Sequence, residues 1–158
     1  MTIYKAFARY YTEGPYTFHS QAAAIRMPEV LEKFDAKPQD ILDIACGEGT
    51  FAVAMTEMHY NVTGVDLSPS MLKFAREKAR QKDLDISFIQ QDMRELNFKA
   101  DFDLVTCFFD SLNYMLVLED LERVFEGVSR ALRPEGLFVF DMNTIYGLAV
   151  SWQKRPVR

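Results

Sequence analysis

The stretch "ILDIACGEGTFAVAM", residues 41–55, decides how this chain is read. An apolar run carries one carboxylate, Asp43. A glycine pair, Gly47 and Gly49, follows, and Thr50 opens an amphipathic helix. A strand end, a tight turn and a helix start, in that order, are the parts from which an open α/β sheet builds a nucleotide-like site. A dinucleotide, a nucleoside triphosphate and S-adenosylmethionine all suit such a turn. Each would define a different protein.

Beyond the turn the pattern alternates. "NVTGVDL" (61–67) reads as a second strand, and Ser68 as an N-cap ahead of Pro69 at the first position of a helix through about Gln81. "ISFIQ" is a third strand and "FDLVTCFF" a fourth. An amphipathic helix over Leu118 to Leu132 is ended by "RPEG", and "GLFVFDM" is a fifth strand. Before the turn, a helical pattern over about Tyr4 to Tyr11 is broken by "EGP". A second runs from about Thr17 to Phe34 with Pro28 inside it. Strands alternating with helices at this spacing predict an α/β fold, a parallel sheet covered on both faces.

Composition narrows the classes. An apolar fraction of 49% and a charged fraction of 26% fit one globular domain of 158 residues, with no repeat or linker to divide it. The 18 basic and 23 acidic residues leave −5, which argues against a nucleic-acid partner. The sequence has no apolar run long enough to span a bilayer, and "MTIYKAFARYY" lacks a signal-peptide core, so the expected location is cytoplasmic, without a membrane partner. Cys46 and Cys107 have no His or Cys at metal-ligand spacing. They are expected to pack as small apolar residues, with no metal site and no disulfide.

The charges around the turn sort the ligands. "GEGTFA" (47–52) matches the G-x-G-x-x-G/A fingerprint, and Asp66 ends the second strand where an acid takes ribose hydroxyls. No Lys-Ser or Lys-Thr follows the glycines, which excludes a Walker loop. Asp43 stands just before the turn, where it would oppose a pyrophosphate and attract a ligand bearing an ammonium and a sulfonium. S-adenosylmethionine carries both, with one carboxylate that suits a helix N-terminus. In "FIQQDMRELNF", Asp92 is placed to accept the exocyclic amine of adenine and Met93 to lie on its ring. A solvated loop aspartate and a core methionine are the alternatives.

Taken in order, "ILDIACGEGTFA", "VTGVDLSPSMLKFAREKA", "FIQQDMREL", "FDLVTCFFDSLNYM" and "LRPEGLFVFDMN" resemble a class I S-adenosylmethionine-dependent methyltransferase of the small-molecule branch, over roughly residues 40–145. "YKAFARYY" is similar to that family's N-terminal lid segment. The resemblance implies a doubly wound, Rossmann-like, mostly parallel sheet of order 3-2-1-4-5 with helices on both faces. It divides the chain into a helical lid (1–36), a core (37–145) and a tail (146–158) whose basic end is expected to fray. It also implies that Ala45 and Gly47 present backbone groups to the methionine moiety, while Asp43 orients its amino group. Asp66 would hold both ribose hydroxyls, Leu67 would flank the adenine, Asp92 and Met93 would take its far edge, and Phe108 would line the pocket. Tyr4 and Tyr11 would close over the donor. Two departures stand out. Thr12 occupies a lid position where this branch usually has an acid, and the family's last two strands do not follow the fifth. Either the sequence is a fragment of a longer chain, or "GLFVFDM" is an apolar edge expected to associate with another subunit.

Methyl transfer from a sulfonium is an in-line displacement that needs alignment and a dry pocket more than an acid or base. The expected activity is transfer to nitrogen or oxygen of a small molecule. The alternatives are a donor-binding module without turnover and, less favoured by the charges, a nicotinamide dehydrogenase. In "FFDSLNYM", Asp110 and Asn113 are the candidates to face the acceptor, with a helix cap as the other reading of Asp110. His19 is a weaker candidate, His59 reads as a surface residue at a helix end, and the charges of "FAREKARQKD" as a solvated helix face.

Overall fold

The structure, a computed structural model, describes residue 14 and residues 17–153, the side chains of residues 148 and 151–153 excepted. The centre of the sheet is β1 (Asp40–Ile44), four of whose five residues are buried. It pairs in parallel with β2 (Asn61–Asp66) on one side and β4 (Phe102–Cys107) on the other. Next to β2 lies β3 (Ser87–Gln90), and next to β4 lies β5 (Leu132–Phe140), all parallel, giving the order 3-2-1-4-5. The expected fold class is the one observed.

Side chains along a strand alternate between faces, so β1 feeds two cores. Ile41 packs with α1 (Thr17–Lys33), α2 (Thr50–Glu57) and α3 (Pro69–Gln81) through Met27, Phe51 and Leu72. Leu42 and Ile44 join Val124 and Val128 of α4 (Leu118–Ala131) on the opposite face. In α1, Ala24, Met27 and Leu31 form the buried stripe, and Pro28 lies inside the helix without ending it. Ser68 caps α3 by accepting the Met71 N–H at 3.3 Å, with Pro69 at the first position. Asp43 and Gly64 are register partners, and a Cβ on Gly64 would come within 2.7 Å of the Phe88 ring and 2.9 Å of Cys46 Sγ. The sheet closes there only around a residue with no side chain.

Two segments differ from the sequence expectation. The "RPEG" that should separate helix from strand is absorbed into β5 as an irregularity: Leu132 pairs with Phe102, but Leu137 already pairs with Leu104. Glu135 adopts φ 65 within it. Arg133 anchors the excursion, bonding Asp40 at 2.8 Å and Asp103 at 2.7 Å. The second difference is a helix, α5 (Ile145–Gln153), where a tail was expected from residue 146. Its apolar residues are enough to continue a helix once Thr144 Oγ1 accepts the Gly147 N–H at 3.0 Å. Residues 154–158 lie outside the described ones.

Candidate active site

A cavity of about 330 Å³ opens at the C-terminal ends of β1 to β4, walled by the turns that leave those strands. Ser20 of α1 lies over it. Position follows from topology: a parallel sheet leaves its strand ends open where neighbouring connections run in opposite directions, here between β1 and β4.

Asp43 lies in the cavity wall, only 3% exposed. It shares a register position with Thr106 of β4, so both side chains leave one face, and the Thr106 hydroxyl donates to its carboxylate at 2.8 Å. Burial pushes the Asp43 carboxyl up to about 7, the Thr106 bond opposes the rise, and nearby Asp66 adds to it. Asp66 ends β2. Its Oδ1 accepts the Ser68 N–H at 2.7 Å and its Oδ2 the Gly47 N–H at 2.8 Å. A carboxylate has about four acceptor directions, so two bonds hold it in place without using it up. Burial raises its pKa and those two N–H groups pull it back.

Between these acids runs the turn. Ala45 has φ 56, and the Cys46 N–H donates to the Val65 carbonyl at 2.9 Å. Burial, then Asp43 and Asp66, hold the Cys46 thiol well above its ordinary pKa, as fits a packing role. Gly49, at φ 78, is the N-cap of α2, and a Cβ there would stand 2.9 Å from the Ala75 Cβ of α3. It contributes no side-chain cap to the first N–H groups of α2.

The wall opposite is built after β3. Asp92 caps a short 3₁₀ turn, Met93–Glu95, by accepting the Arg94 N–H at 2.9 Å. The Arg94 guanidinium holds both Asp92 oxygens, at 3.0 and 2.6 Å, and reaches Asp120 at 2.9 Å. The Arg94 side-chain bond is the main reason the Asp92 carboxyl lies below its usual range. Met93 lies between the cavity and the core beneath α4, and Leu67 is 55% exposed in the cavity wall. Phe108 meets Phe51 edge-on at 5.0 Å, and both rings line the space.

Asp110 and Asn113 stand apart from this wall. Phe109 and Asp110 are consecutive left-handed residues, at φ 62 and 49, held from outside by the turn after β5. Asn143 donates its side-chain amide to the Asp110 carboxylate, and the Asp110 N–H donates to Asp141 at 3.2 Å. Asn113 Oδ1 accepts the Asn143 N–H at 2.9 Å and its amide donates to the Asn143 carbonyl at 3.1 Å. The Asp110 side chain makes no cap to the turn Ser111–Tyr114, so the cap reading is corrected. Burial, then Asp141, raises its pKa, while Asn143 and His19 oppose this. The exposed His19 ring meets Phe109 at 5.0 Å and brings α1 to this rim. His59 follows α2 on the surface, at φ 71. Tyr4 and Tyr11 lie outside the described residues.

Sequence reasoning passed over Glu48 and Lys78. Glu48 is 2% exposed and lines the cavity, and its carboxylate accepts from the Thr50 hydroxyl at 2.9 Å and from the Lys78 ammonium. Lys78 belongs to "FAREKARQKD", read as solvated; its half-buried ammonium corrects that reading. Burial and Lys82 bring it down to about 8, still charged at neutral pH. The pair joins residues thirty apart with no periodic relation, so no local pattern announces it. Gln91 was also missed: its amide donates to the Glu95 carbonyl at 2.8 Å and to Asn97 at 2.9 Å, leaving a buried Oε1 unpartnered.

An acid-lined cavity at the strand ends of a parallel 3-2-1-4-5 sheet is the arrangement of a class I methyltransferase. A family model described as "Methyltransferase domain" matches residues 41–136, and the chain belongs to that family. It is 38% identical over 152 residues to "Putative methyltransferase YqeM" of Bacillus subtilis, covering 93% of this chain and 58% of that protein. A crystal structure of an S-adenosylmethionine-dependent methyltransferase from Clostridium acetobutylicum superposes with a TM-score of 0.77 at 33% identity, over 93% of this chain and 57% of that one. A ubiquinone biosynthesis O-methyltransferase of Coxiella burnetii is 28% identical over 118 residues, 74% of this chain and 49% of that enzyme. The chain thus spans about half the length of these relatives. S-adenosylmethionine is the cofactor of the family. Among the described residues no helix is long and apolar enough to cross a membrane.

Proposed function

We propose that the cavity binds S-adenosylmethionine and that the protein transfers the donor's methyl group to nitrogen or oxygen of a small molecule. One observation carries this reading. Asp43 is a buried carboxylate in the cavity wall whose pKa is lifted to about 7, and no cation pairs with it among the described residues. A buried charge without a partner costs several kcal/mol, so such a group is at rest only when protonated or when a ligand brings the cation. The ammonium of S-adenosylmethionine is such a ligand, whereas a pyrophosphate would be repelled.

The remaining roles follow from the chemistry of each group. Asp66, pinned by two N–H groups, keeps acceptor directions for the two ribose hydroxyls. Ala45 and Gly47 line the methionine end with backbone, although the Gly47 N–H is already given to Asp66. Leu67 and Met93 flank the adenine, Asp92 accepts its amine with the capacity Arg94 leaves, and Phe108 against Phe51 keeps water from the sulfonium. The bound donor supplies an electrophilic methyl group. The chain's part is to hold the acceptor in line with it, and Asp110 and Asn113 at the rim are the groups for that task. Asp110, with its pKa raised, also suits taking up the proton that a methylated nitrogen or oxygen loses.

Calorimetric titration with S-adenosylmethionine and S-adenosylhomocysteine tests the donor site, and release of labelled methyl into a metabolite pool tests transfer. Binding without transfer would make the chain a donor-binding module. Absence of binding by the folded protein would sink the proposal.

A further inference from the structure

The turn that holds Gly47 and Gly49 carries an acid, Glu48, between them, and the cavity already has three others, Asp43, Asp66 and Asp92. The donor has a carboxylate of its own. A helix N-terminus favours that carboxylate, and Gly49 leaves the first N–H groups of α2 without a side-chain cap. An unpaired Glu48 beside those N–H groups would compete for them and repel the incoming anion.

Lys78 removes that conflict. It reaches from the third turn of α3 to the Glu48 carboxylate, and its ammonium also donates to the Thr50 hydroxyl at 2.5 Å. The Thr50 hydroxyl in turn donates to Glu48 at 2.9 Å. The three groups form a closed set behind the turn. Arg94, which does line the cavity, is held by Asp92 and Asp120. Stability is a poor reason for such a pair, because a buried ion pair is commonly no better than apolar residues of the same volume.

Resting on the methyl-donor reading above, we propose that Lys78 is a positioning residue for donor binding: by neutralising Glu48 and turning it toward α3, it leaves the start of α2 open to the carboxylate of S-adenosylmethionine. Lys78 acts through Glu48 and does not itself touch the ligand. Glu48 in turn sets how strongly the turn discriminates for or against an anionic ligand tail.

The test compares S-adenosylmethionine with 5′-methylthioadenosine, which keeps the adenosine and lacks the amino-acid carboxylate. Calorimetry on Lys78→Met should show S-adenosylmethionine weakened by about tenfold or more and 5′-methylthioadenosine unchanged within about twofold, as expected for an exposed like charge at close range. Glu48→Gln should bind S-adenosylmethionine as tightly as wild type or tighter. The double variant Glu48→Gln/Lys78→Met should recover to within about threefold of wild type, since the repulsion disappears with its source. A mere clamp on the turn predicts the opposite signs: both single variants weaken both ligands and the double variant recovers nothing, which would overturn the proposal. If Lys78→Met does not fold, Glu48→Gln still decides, because weakened binding of S-adenosylmethionine there contradicts it. Failure of the methyl-donor reading looks different: the wild-type protein would bind neither ligand.

Discussion

The two sides of the cavity are built differently. On the donor side, Asp43 and Asp66 sit at the ends of adjacent buried strands, each fixed by a neighbour supplied by register or by the next turn. On the rim, Asp110 and Asn113 depend on Asp141 and Asn143, about thirty residues away and across the edge strand β5. The first arrangement is rigid because the strands cannot shift without breaking the core. The second holds two left-handed residues, Phe109 and Asp110, in place by a handful of exposed hydrogen bonds, and strain of that kind persists only where surroundings enforce it. A constant ligand suits the first and a variable one the second.

The largest effect is expected on the rigid side. In the proposed function Asp66 takes two ligand hydroxyls; at about 1.5–3 kcal/mol per charged hydrogen bond, Asp66→Ala should then lower S-adenosylmethionine affinity by at least about a hundredfold in calorimetry. A loss under about fivefold would mean that Asp66 only organises the turn through Gly47 and Ser68.

Asp43 should show two opposed effects. Its pKa is raised on folding, so the native state binds its proton more tightly than the unfolded chain. Ligand-free stability from this group is full below about pH 4 and is lost as pH rises through about 7. Asp43→Asn should therefore stabilise the ligand-free protein at pH 8, by on the order of 2 kcal/mol in denaturant unfolding, while weakening the donor about thirtyfold. If Asp43 pairs with the donor's ammonium as proposed, the ionised form is needed, so wild-type affinity should rise about tenfold between pH 6 and pH 8 and the variant's dependence should be flat by comparison. A wild-type affinity independent of pH would remove Asp43 from the site.

Gly64→Ala probes the rigidity itself. The added methyl meets the Phe88 ring and Cys46 Sγ at under 3 Å, so a loss of about 1–3 kcal/mol is expected in thermal or denaturant unfolding. The smallest effect on folding belongs to the rim. Asn143→Ala frees Asp110 and should cost about 1 kcal/mol of stability with donor affinity unchanged within about twofold, while methyl transfer to a given acceptor drops by about tenfold. If donor affinity fell with it, the two sides would not be separable.

The donor side was legible because its geometry is local. In "ILDIACGEGTFA" the period of the strand puts Asp43 on the same face as Ile41, and the turn follows within four residues, so spacing alone brings the acid to the glycines. Ser68 and Pro69 announced α3, and the structure has that helix from Pro69 to Gln81. The start of β5 was not legible, because "RPEG" carries every mark of a helix stop, while Arg133, by pairing with Asp40 and Asp103, keeps it in the sheet. Lys78 looked like one of several cations on a solvated face; only the approach of α3 to the turn, as close as Gly49 to Ala75, buries it against Glu48.

By itself the sequence determined the layered α/β architecture, the strand order through its family resemblance, and the acids at the ends of the first two strands. The architecture and the two acids follow from periodicity, turn chemistry or spacing within a few residues, where the chain's covalent geometry does most of the positioning; the strand order, a matter of long-range pairing, came only through the resemblance. Tertiary structure alone decided that Asp43 is buried with no cation beside it among the described residues, that Glu48 is neutralised from another helix, and that Asp110 is held by the turn after β5. Those are questions of charge and solvent exposure, and both depend on which distant segments come together.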